Sequence, residues 1–327
     1  MTPLRTLSIG GATYDIFLTM EGGTPVKDGA ITFGVGKKIR VKGVTETCGG
    51  GANNSAVGLQ RLGCSAAFCG IVGSDQWGDR LLQNLKKEGV DTRSATIVDK
   101  ETSSFSIVLL MPTGERTILY TPGVNEHLHD VTFDKDAIAG AQAVYLNRLS
   151  ETACEIENDI IAMLDLREGL HLTWNPGGCQ LEAGMYAADK AKLLKRTTLL
   201  LLNKEEAAQF TGEKDTAVAM RALLQAGVQA VCVTDGGNGT WAANGSGMWF
   251  CPAVQDAVIV DTTGAGDAFG VGATWALLKG ESLQTALIAG TLNATSVIGV
   301  IGAQPGLLTE TQMQSQIKKS ALAVETI

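Results

Sequence analysis

The sequence predicts an α/β fold whose central sheet is mostly parallel and is covered by helices on both faces. Short apolar segments alternate with helical patterns along most of the 327 residues, as expected for repeated right-handed strand–helix units. Residues 199–202 are consecutive leucines, which is typical of a parallel strand that is buried on both faces. Two glycine-broken β segments, about 16–47 and 102–121, interrupt this alternation and predict a second, smaller sheet.

Composition and charge restrict the class of protein. Hydrophobic residues make up 45% of the chain and charged residues 18%, which fits one globular domain over 1–327. The net charge of −8 argues against nucleic acid or an anionic membrane as a partner. No apolar run approaches the ~20 residues of a membrane span, and the first residues lack the apolar core of a signal peptide. Seven cysteines without a CxxC pair favour a reduced, cytoplasmic location.

The stretch 261–270 carries the most chemical information. A β-branched run, Val258–Val260, predicts the end of a buried strand, and an apolar segment after the turn predicts a helix. Gly264 and Gly266 lie in the turn, where they allow close approach of the backbone to a ligand. Free amides at a helix N-terminus attract an anion such as a phosphate group. Asp267 lies in the first helical turn, where it can cap the helix or accept a proton.

A second glycine-rich stretch predicts a site for hydroxyl groups. Gly49 and Gly50 open a helix of small residues, and Asn54 in its first turn can both donate and accept hydrogen bonds. Asn53 is the alternative if the register slips by one residue. Asp15 follows the first strand, at the edge of the sheet where open α/β proteins bind ligands, and a turn-capping role is its alternative.

These motifs resemble those of the PfkB sugar kinases, also called the ribokinase-like family. Residues 261–267 match the family's D-T-x-G-A-G-D pattern, residues 49–54 match G-G-x-x-x-N, and residues 11–15 match G-x-x-x-D. The resemblance covers nearly the whole chain. It implies a ribokinase-like fold with a small β-sheet lid. It also implies transfer of the γ-phosphoryl group of ATP, with Mg²⁺, to a hydroxyl of a small sugar or sugar derivative.

The resemblance also implies roles for individual residues. Asp267 is implied as the catalytic base, and the backbone amides of Gly264, Ala265 and Gly266 as the anion hole. The residues implied in substrate binding are Asp15, Gly49, Gly50, Asn54 and Asn147. Those implied in binding nucleotide and phosphate are Asn203, Thr234, Gly236, Gly239 and Asn293. The implied metal contacts are Glu206, through water to Mg²⁺, and Asp261 with Thr263, to a monovalent cation such as K⁺.

The acceptor and the assembly stay open at this level. Ribokinases carry a carboxylate near the position of Asn147, so the resemblance does not single out ribose. A nucleoside kinase is an alternative, with stacking aromatics in or near the lid; the candidates are Tyr14, Phe17, Phe33, Phe105 and Tyr120. A non-catalytic sugar- or nucleotide-binding protein is a second alternative. The exposed face of the lid sheet needs to be covered, which predicts a homodimer formed through the lid. The basic run Lys37–Lys42 is interpreted as a solvated face or as a contact for an anionic sugar.

Overall fold

The computed structural model describes residues 3–21, 26–27, 30–111, 116–130, 140–149, 156–167 and 169–327. The strands in these ranges are β1 (Arg5–Ile9), β2 (Thr13–Met20), β3 (Val26–Lys27), β4 (Ala30–Ile31), β5 (Val41–Gly49), β6 (Ser65–Gly73), β7 (Ala95–Val98), β8 (Phe105–Leu110), β9 (Arg116–Thr121), β10 (Ala143–Leu146), β11 (His171–Trp174), β12 (Leu199–Asn203), β13 (Ala230–Thr234), β14 (Thr240–Asn244), β15 (Gly247–Cys251) and β16 (Glu325–Thr326). The helices are α1 (Gly51–Arg61), α2 (Gln76–Lys87), α3 (Ile156–Asp165), α4 (Cys179–Glu182), α5 (Ala188–Arg196), α6 (Lys204–Thr211), α7 (Thr216–Gln225), α8 (Ala265–Leu278), α9 (Leu283–Ile298) and α10 (Glu310–Lys319). Gly123–Asp130 and Gly236–Asn238 form 3-10 turns.

The large sheet is mostly parallel, as predicted. In the described chain its strands lie in the order β16-β15-β14-β13-β12-β11-β10-β1-β6-β7. The ladders from β13 across to β7 are parallel, whereas β14, β15 and β16 extend the β13 edge in antiparallel fashion. Strands β1, β10, β11, β12 and β13 therefore end at one edge of the sheet, and the loops that follow them meet there.

Helices cover both faces of this sheet. Leu200 and Leu202 of β12 pack into one buried cluster with Trp174, whereas Leu199 and Leu201 pack into another with Phe269 of α8. All four leucines are at most 4% exposed, and burying each contributes roughly 1.5–3 kcal/mol. This arrangement confirms the predicted layers and explains why the segment is apolar throughout.

A close helix pair supports the end of α8 that carries the glycine-rich turn. Helices α8 and α9 approach through glycine: a Cβ added to Gly272 of α8 would lie 2.5 Å from the carbonyl oxygen of Ala289. Gly290 of α9 is equally restricted, since its Cβ would lie 2.7 Å from the ring of Phe269. Close packing therefore fixes helices α8 and α9 relative to each other. The N-terminal turn of α8 is in turn held by a rigid helix pair.

The small sheet has the strand order β5-β2-β8-β9. Strand β2 pairs antiparallel with β5 and parallel with β8, and β8 pairs antiparallel with β9. The separate sheet confirms the prediction, although its first strand starts at Thr13 rather than near residue 16. Residues 22–25, 28–29 and 112–115 of the predicted lid segments lie outside the described residues.

Two expectations need correction. Val258–Val260 is not a buried strand: these residues form an irregular segment and are 72%, 67% and 42% exposed. Cys179 is disulfide-bonded, which departs from the expectation of a fully reduced chain. At the C-terminal end, the two-residue strand β16 follows α10 and pairs with β15. Within the described ranges, no helix combines the length and apolarity that crossing a bilayer requires.

Candidate active site

The glycine-rich turn delivers the backbone geometry that the sequence predicts for an anion site. Gly264 caps α8 in the left-handed conformation with φ of 76°, and a Cβ there would lie 2.3 Å from the Cβ of Ala303. Glycine is therefore required at position 264 for two independent reasons. Amides in the first turn of a helix have no helical acceptor. The Ala265 amide makes a long turn bond of 3.3 Å to the Thr262 carbonyl.

A cavity of about 250 Å³ lies against this turn. Its wall includes Gly264–Asp267 from the turn, together with Asn175, Asn203 and Thr234, which lie at or directly after the ends of β11, β12 and β13. Glu206 of α6 completes the polar lining. The structure thus brings the predicted anion hole, the predicted base and three predicted phosphate or metal contacts around one space.

Asp267 is held by one donor. Asn54 of α1 donates from Nδ2 to Asp267 Oδ2 at 2.8 Å, and within the described chain Oδ1 of Asp267 receives no hydrogen bond. Burial raises the pKa of Asp267 above its ordinary value, and the Asn54 hydrogen bond partly offsets this. Asn53 instead donates to the Gly49 carbonyl at 2.9 Å. Of the two asparagines, Asn54 is therefore the one that contacts Asp267.

Asp15 lies on the small sheet beside the second glycine pair. Its carboxylate accepts a hydrogen bond from Ser106, and a Cβ on Gly49 would lie 2.1 Å from Asp15 Oδ2. Gly50 has φ of 90°, and its Cβ would lie 2.6 Å from the Cα of Ala12. Burial raises the pKa of Asp15 to about 6; Ser106 opposes this rise and the charge of Asp261 adds to it. Asp15, Gly49 and Gly50 are thus neighbours, as predicted.

A row of polar side chains crosses the small sheet at Asp15. Thr47, Asp15, Ser106 and Tyr120 are direct cross-strand partners, so they share one face. This face looks towards the loop after α9, since a Cβ on Gly302 would lie 2.6 Å from Thr47. In the described chain the buried Thr47 hydroxyl has no hydrogen-bond partner, and Tyr120 is 57% exposed. We call these four residues the Asp15 row.

Asn203 and Glu206 form a capping box at the start of α6. Asn203 Oδ1 accepts from the Glu206 amide at 2.8 Å, and Glu206 Oε2 accepts from the Asn203 amide at 2.8 Å. These bonds leave the Asn203 NH₂ and the second Glu206 oxygen for the cavity. Burial raises the pKa of Glu206. A carboxylate of this kind suits indirect contact with Mg²⁺, which retains its waters.

Asp261 organises the turn from within. Its Oδ1 accepts from the amide and the hydroxyl of Thr263 at 3.0 and 2.7 Å, and its Oδ2 accepts from the Gly302 amide at 2.9 Å. The carboxylate therefore joins the turn to the loop after α9. The oxygen-rich chemistry of this junction fits a monovalent cation, although the carboxylate itself is largely engaged by protein donors.

Several predicted contacts lie apart from the cavity. Asn293 is fully buried; it donates to the Ala268 carbonyl at 2.7 Å and accepts from the Leu308 amide at 3.0 Å, so both ends of its amide are engaged by protein groups. Gly236 and Gly239 form the turn after β13 and are not among the cavity residues. Asn147 is buried, donates to the Ser55 hydroxyl at 3.1 Å, and has an Oδ1 without a partner in the described chain.

Two polar residues that are not among the predicted site residues lie at the site. Gln304 donates to Asn54 Oδ1 at 3.2 Å, and Arg116 of β9 donates to the Thr262 hydroxyl beside the cavity. Each contact joins residues more than 140 positions apart in the chain. Sequence patterns read locally carry no signal for such contacts.

Comparison with known proteins agrees with this geometry. The profile of the pfkB family carbohydrate kinases matches residues 26–310. A relative from Archaeoglobus fulgidus, described as an uncharacterized sugar kinase, is 32% identical over 253 residues, covering 77% of this chain and 98% of the relative. Arabidopsis thaliana ribokinase complexed with ribose and ATP has a TM-score of 0.78 at 22% identity, covering 98% of this chain and all of that one. A Burkholderia thailandensis nucleoside kinase in complex with inosine has a TM-score of 0.77 at 19% identity, covering 97% and 98%.

The fold is thus that of the ribokinase-like kinases, enzymes that transfer phosphoryl groups. This chain belongs to the pfkB family of carbohydrate kinases, and it is an ATP-dependent carbohydrate kinase. The non-catalytic alternative is therefore set aside.

Proposed function

We propose that the protein transfers the γ-phosphoryl group of ATP to a hydroxyl of a small sugar or sugar derivative, with Asp267 as the base. The observation that supports this most strongly is the placement of Asp267 in the first turn of α8, beside unpaired amides and at the wall of the cavity. One oxygen of Asp267 accepts from Asn54, and the other is left to accept the proton of the acceptor hydroxyl.

The amides of Gly264, Ala265 and Gly266 stabilise charge on the transferred group. In a loose transition state, negative charge is spread over the equatorial oxygens, so most of the rate comes from alignment and charge stabilisation. The base takes the hydroxyl proton as the oxygen–phosphorus bond forms and the bond to the leaving ADP breaks. Asn203 and Thr234 line the same cavity, which supports their assignment to the phosphates of the nucleotide.

The Asp15 row binds the acceptor. Its members offer one carboxylate, hydroxyl groups and one exposed aromatic ring, which are suited to a polyol. A short distance between the row and the glycine-rich turn supports this assignment, since Gly302 lies against Thr47 and its amide donates to Asp261 at 2.9 Å. Gly49 at the end of β5 and Gly50 at the N-cap of α1 border this region, and Asn147 follows β10.

Two metal ions are part of the proposal. Glu206 would hold Mg²⁺ through water, and the ion would neutralise charge on the nucleotide phosphates. The junction of Asp261 and Thr263 with the loop after α9 would hold a monovalent cation such as K⁺. Omitting each ion in turn from the assay tests these assignments separately.

The test is a screen for ADP release over ribose, fructose, sugar acids, sugar phosphates, adenosine and cytidine. We expect one sugar class to give turnover, and Asp267→Asn to lower kcat at least about 100-fold, the usual size of general-base assistance. Asp99→Asn, an exposed aspartate outside the cavity, is the matched control. Near-normal kcat in Asp267→Asn would contradict its role as the base, and binding without turnover across the whole panel would contradict the kinase proposal.

A nucleoside acceptor is the second candidate, and Tyr120 is the observation that favours it. Of the predicted aromatics, Tyr14 stacks on Trp77 and Phe17 is fully buried, so neither can receive a base. Tyr120 is exposed and belongs to the Asp15 row. If the acceptor is a nucleoside, Tyr120→Ala should raise its KM far more than it raises the KM for a free sugar.

We also propose a homodimer formed through the small sheet. Ile118 and Leu119 of β9 are 47% and 54% exposed, which is a large apolar surface for one strand. Light scattering after size exclusion should give twice the chain mass, and Leu119→Lys should reduce it. A monomer at micromolar concentration would contradict the proposal.

The basic run Lys37–Lys42 is exposed, which favours the solvated interpretation.

A further inference from the structure

Three side-chain amides form a chain from α2 to the carboxylate of Asp267. Asn84 Nδ2 donates to Gln304 Oε1 at 2.8 Å, and Gln304 Nε2 donates to Asn54 Oδ1 at 3.2 Å. Asn54 Nδ2 then donates to Asp267 Oδ2 at 2.8 Å. The amides come from α2, from the loop after α9 and from α1, so the chain joins three separate elements at the base.

The charge on Asp267 sets the direction of every amide in this chain. A carboxylate can only accept, so Asn54 must present its NH₂ group and its carbonyl then faces Gln304. Gln304 must in turn present its NH₂ to that carbonyl, which directs its own Oε1 to Asn84. Turning over any one amide would place two donors or two acceptors against each other.

The backbone of Gln304 is anchored independently of its side chain. Arg61 Nη1 donates to the Gln304 carbonyl at 2.8 Å and to the Leu307 carbonyl at 3.2 Å. The same guanidinium makes two hydrogen bonds to Glu88, at 2.9 and 2.8 Å. Gln304 is only 5% exposed, so bulk solvent has little access to its amide. A change confined to the side chain therefore leaves the loop in place.

We propose that Gln304 is a positioning residue for phosphoryl transfer, because its amide keeps Asn54 in the one orientation that donates to Asp267 Oδ2. The other carboxylate oxygen is then directed to the acceptor hydroxyl. This inference rests on the proposed role of Asp267 as the base. Without the Gln304 donor, the Asn54 carbonyl loses its partner and only Asp267 itself favours the donating orientation of Asn54. The orientation of Asp267 is then less fixed, and the hydrogen bond that favours its charged form is weaker.

Other ionisable groups near Asp267 do not account for the same effect. Tyr145 of β10 and Glu206 of α6 are the groups that interact electrostatically with it. Neither contacts Gln304 through any hydrogen bond in the described chain, so both stay unchanged when Gln304 is replaced.

The test compares Gln304→Met with Asn84→Ala. The first removes the donor to Asn54 at similar volume, whereas the second removes the outermost bond and leaves the two inner ones. In a ¹³C carboxyl NMR titration, with Asp267 assigned through the signal missing from Asp267→Asn, Gln304→Met should raise the titration midpoint by about one pH unit. Asn84→Ala should shift it by less than about 0.3 unit. With the acceptor found in the sugar screen, kcat should fall about 10-fold in Gln304→Met at an almost unchanged KM for ATP, and less than about 2-fold in Asn84→Ala.

An unchanged midpoint in Gln304→Met, or an equal shift in Asn84→Ala, would overturn the inference. Should Gln304→Met fail to fold, Gln304→Glu retains the acceptor for Asn84 and lacks the donor, and it should shift the midpoint further in the same direction. The titration needs no substrate, so it decides the role of Gln304 even if no sugar is turned over. Absence of turnover by the wild type would instead contradict the proposed function.

Discussion

Gly266 lies in the first turn of α8 with an ordinary helical backbone, and a methyl group added to it would meet no atom within 4 Å. Packing within the protein therefore does not require glycine here. Alanine is favoured over glycine in a helix by roughly 0.5–1 kcal/mol, so Gly266→Ala should raise the unfolding free energy by up to about that amount. The open space beside Gly266 is the cavity proposed for the transferred group. The methyl group should therefore lower kcat at least about 100-fold, the usual loss when an anion-hole contact is removed.

Gly264→Ala is the matched control two positions earlier. Its left-handed backbone costs a non-glycine residue about 1–2 kcal/mol, and the added Cβ would lie 2.3 Å from that of Ala303. This variant should lose at least about 2 kcal/mol of stability. Urea unfolding and the ADP-release assay measure both quantities on each variant. The reasoning is refuted if Gly266→Ala is destabilised like Gly264→Ala, or if it keeps more than half of the wild-type kcat.

Three further predictions concern ionisable groups. The pKa of Asp15 is raised to about 6, so its charged carboxylate lowers the free energy of unfolding at pH 7, and this loss disappears as the pH falls towards 4. In urea unfolding at pH 7, Asp15→Asn should be more stable than the wild type by roughly 1–2 kcal/mol, while its KM for the acceptor rises sharply. Equal stability of the two proteins would contradict this. Burial lowers the pKa of His171 to about 4, so below pH 6.5 the unfolded chain binds a proton that the folded chain excludes. As the pH falls from 6.5 to 4, the unfolding free energy of His171→Gln should therefore rise relative to that of the wild type, by up to about 3 kcal/mol. A difference in stability between the two proteins that does not change with pH would refute this. Glu206→Gln preserves the capping geometry, so its unfolding free energy should stay within about 0.5 kcal/mol of the wild type. The Mg²⁺ concentration that gives half-maximal activity should rise about 10-fold. If that concentration is unchanged, Glu206 is not part of the metal site.

Much of the fold could be predicted because its elements are long and periodic. The apolar segment after the glycine-rich turn is a helix, α8, and the leucines of β12 are buried on both faces as expected. The run Val258–Val260 has strand-forming residues but, in the described chain, no strand beside it. β propensity indicates that residues suit a strand, and it does not indicate whether a partner strand is available. The place beside β13 is taken by β14, which returns through a tight turn, so this run remains outside the sheet.

The geometry of the candidate site could be predicted where one motif carries both the backbone conformation and the side chain. Gly264 and Asp267 are such a case, since both follow from one turn. Asn293 is a predicted contact that protein groups engage, whereas Gln304 is not among the predicted site residues and contacts Asn54. Asn293 is directed into the helix pair and Gln304 towards Asn54, and only the packing of distant elements decides which polar side chain reaches a ligand.

The Asp15 row lies on the small sheet, whereas the glycine-rich turn lies at the start of α8, outside both sheets. Ser106 and Tyr120 can change without altering any residue of α8, so recognition of a new alcohol can evolve while the transfer apparatus stays constant. A shift of β8 by a single position would turn Ser106 away from Asp15, because adjacent strand residues face opposite sides. We therefore expect related kinases to differ by side-chain replacements in the β8–β9 hairpin at constant strand register. Insertions should accumulate at the ends of this hairpin.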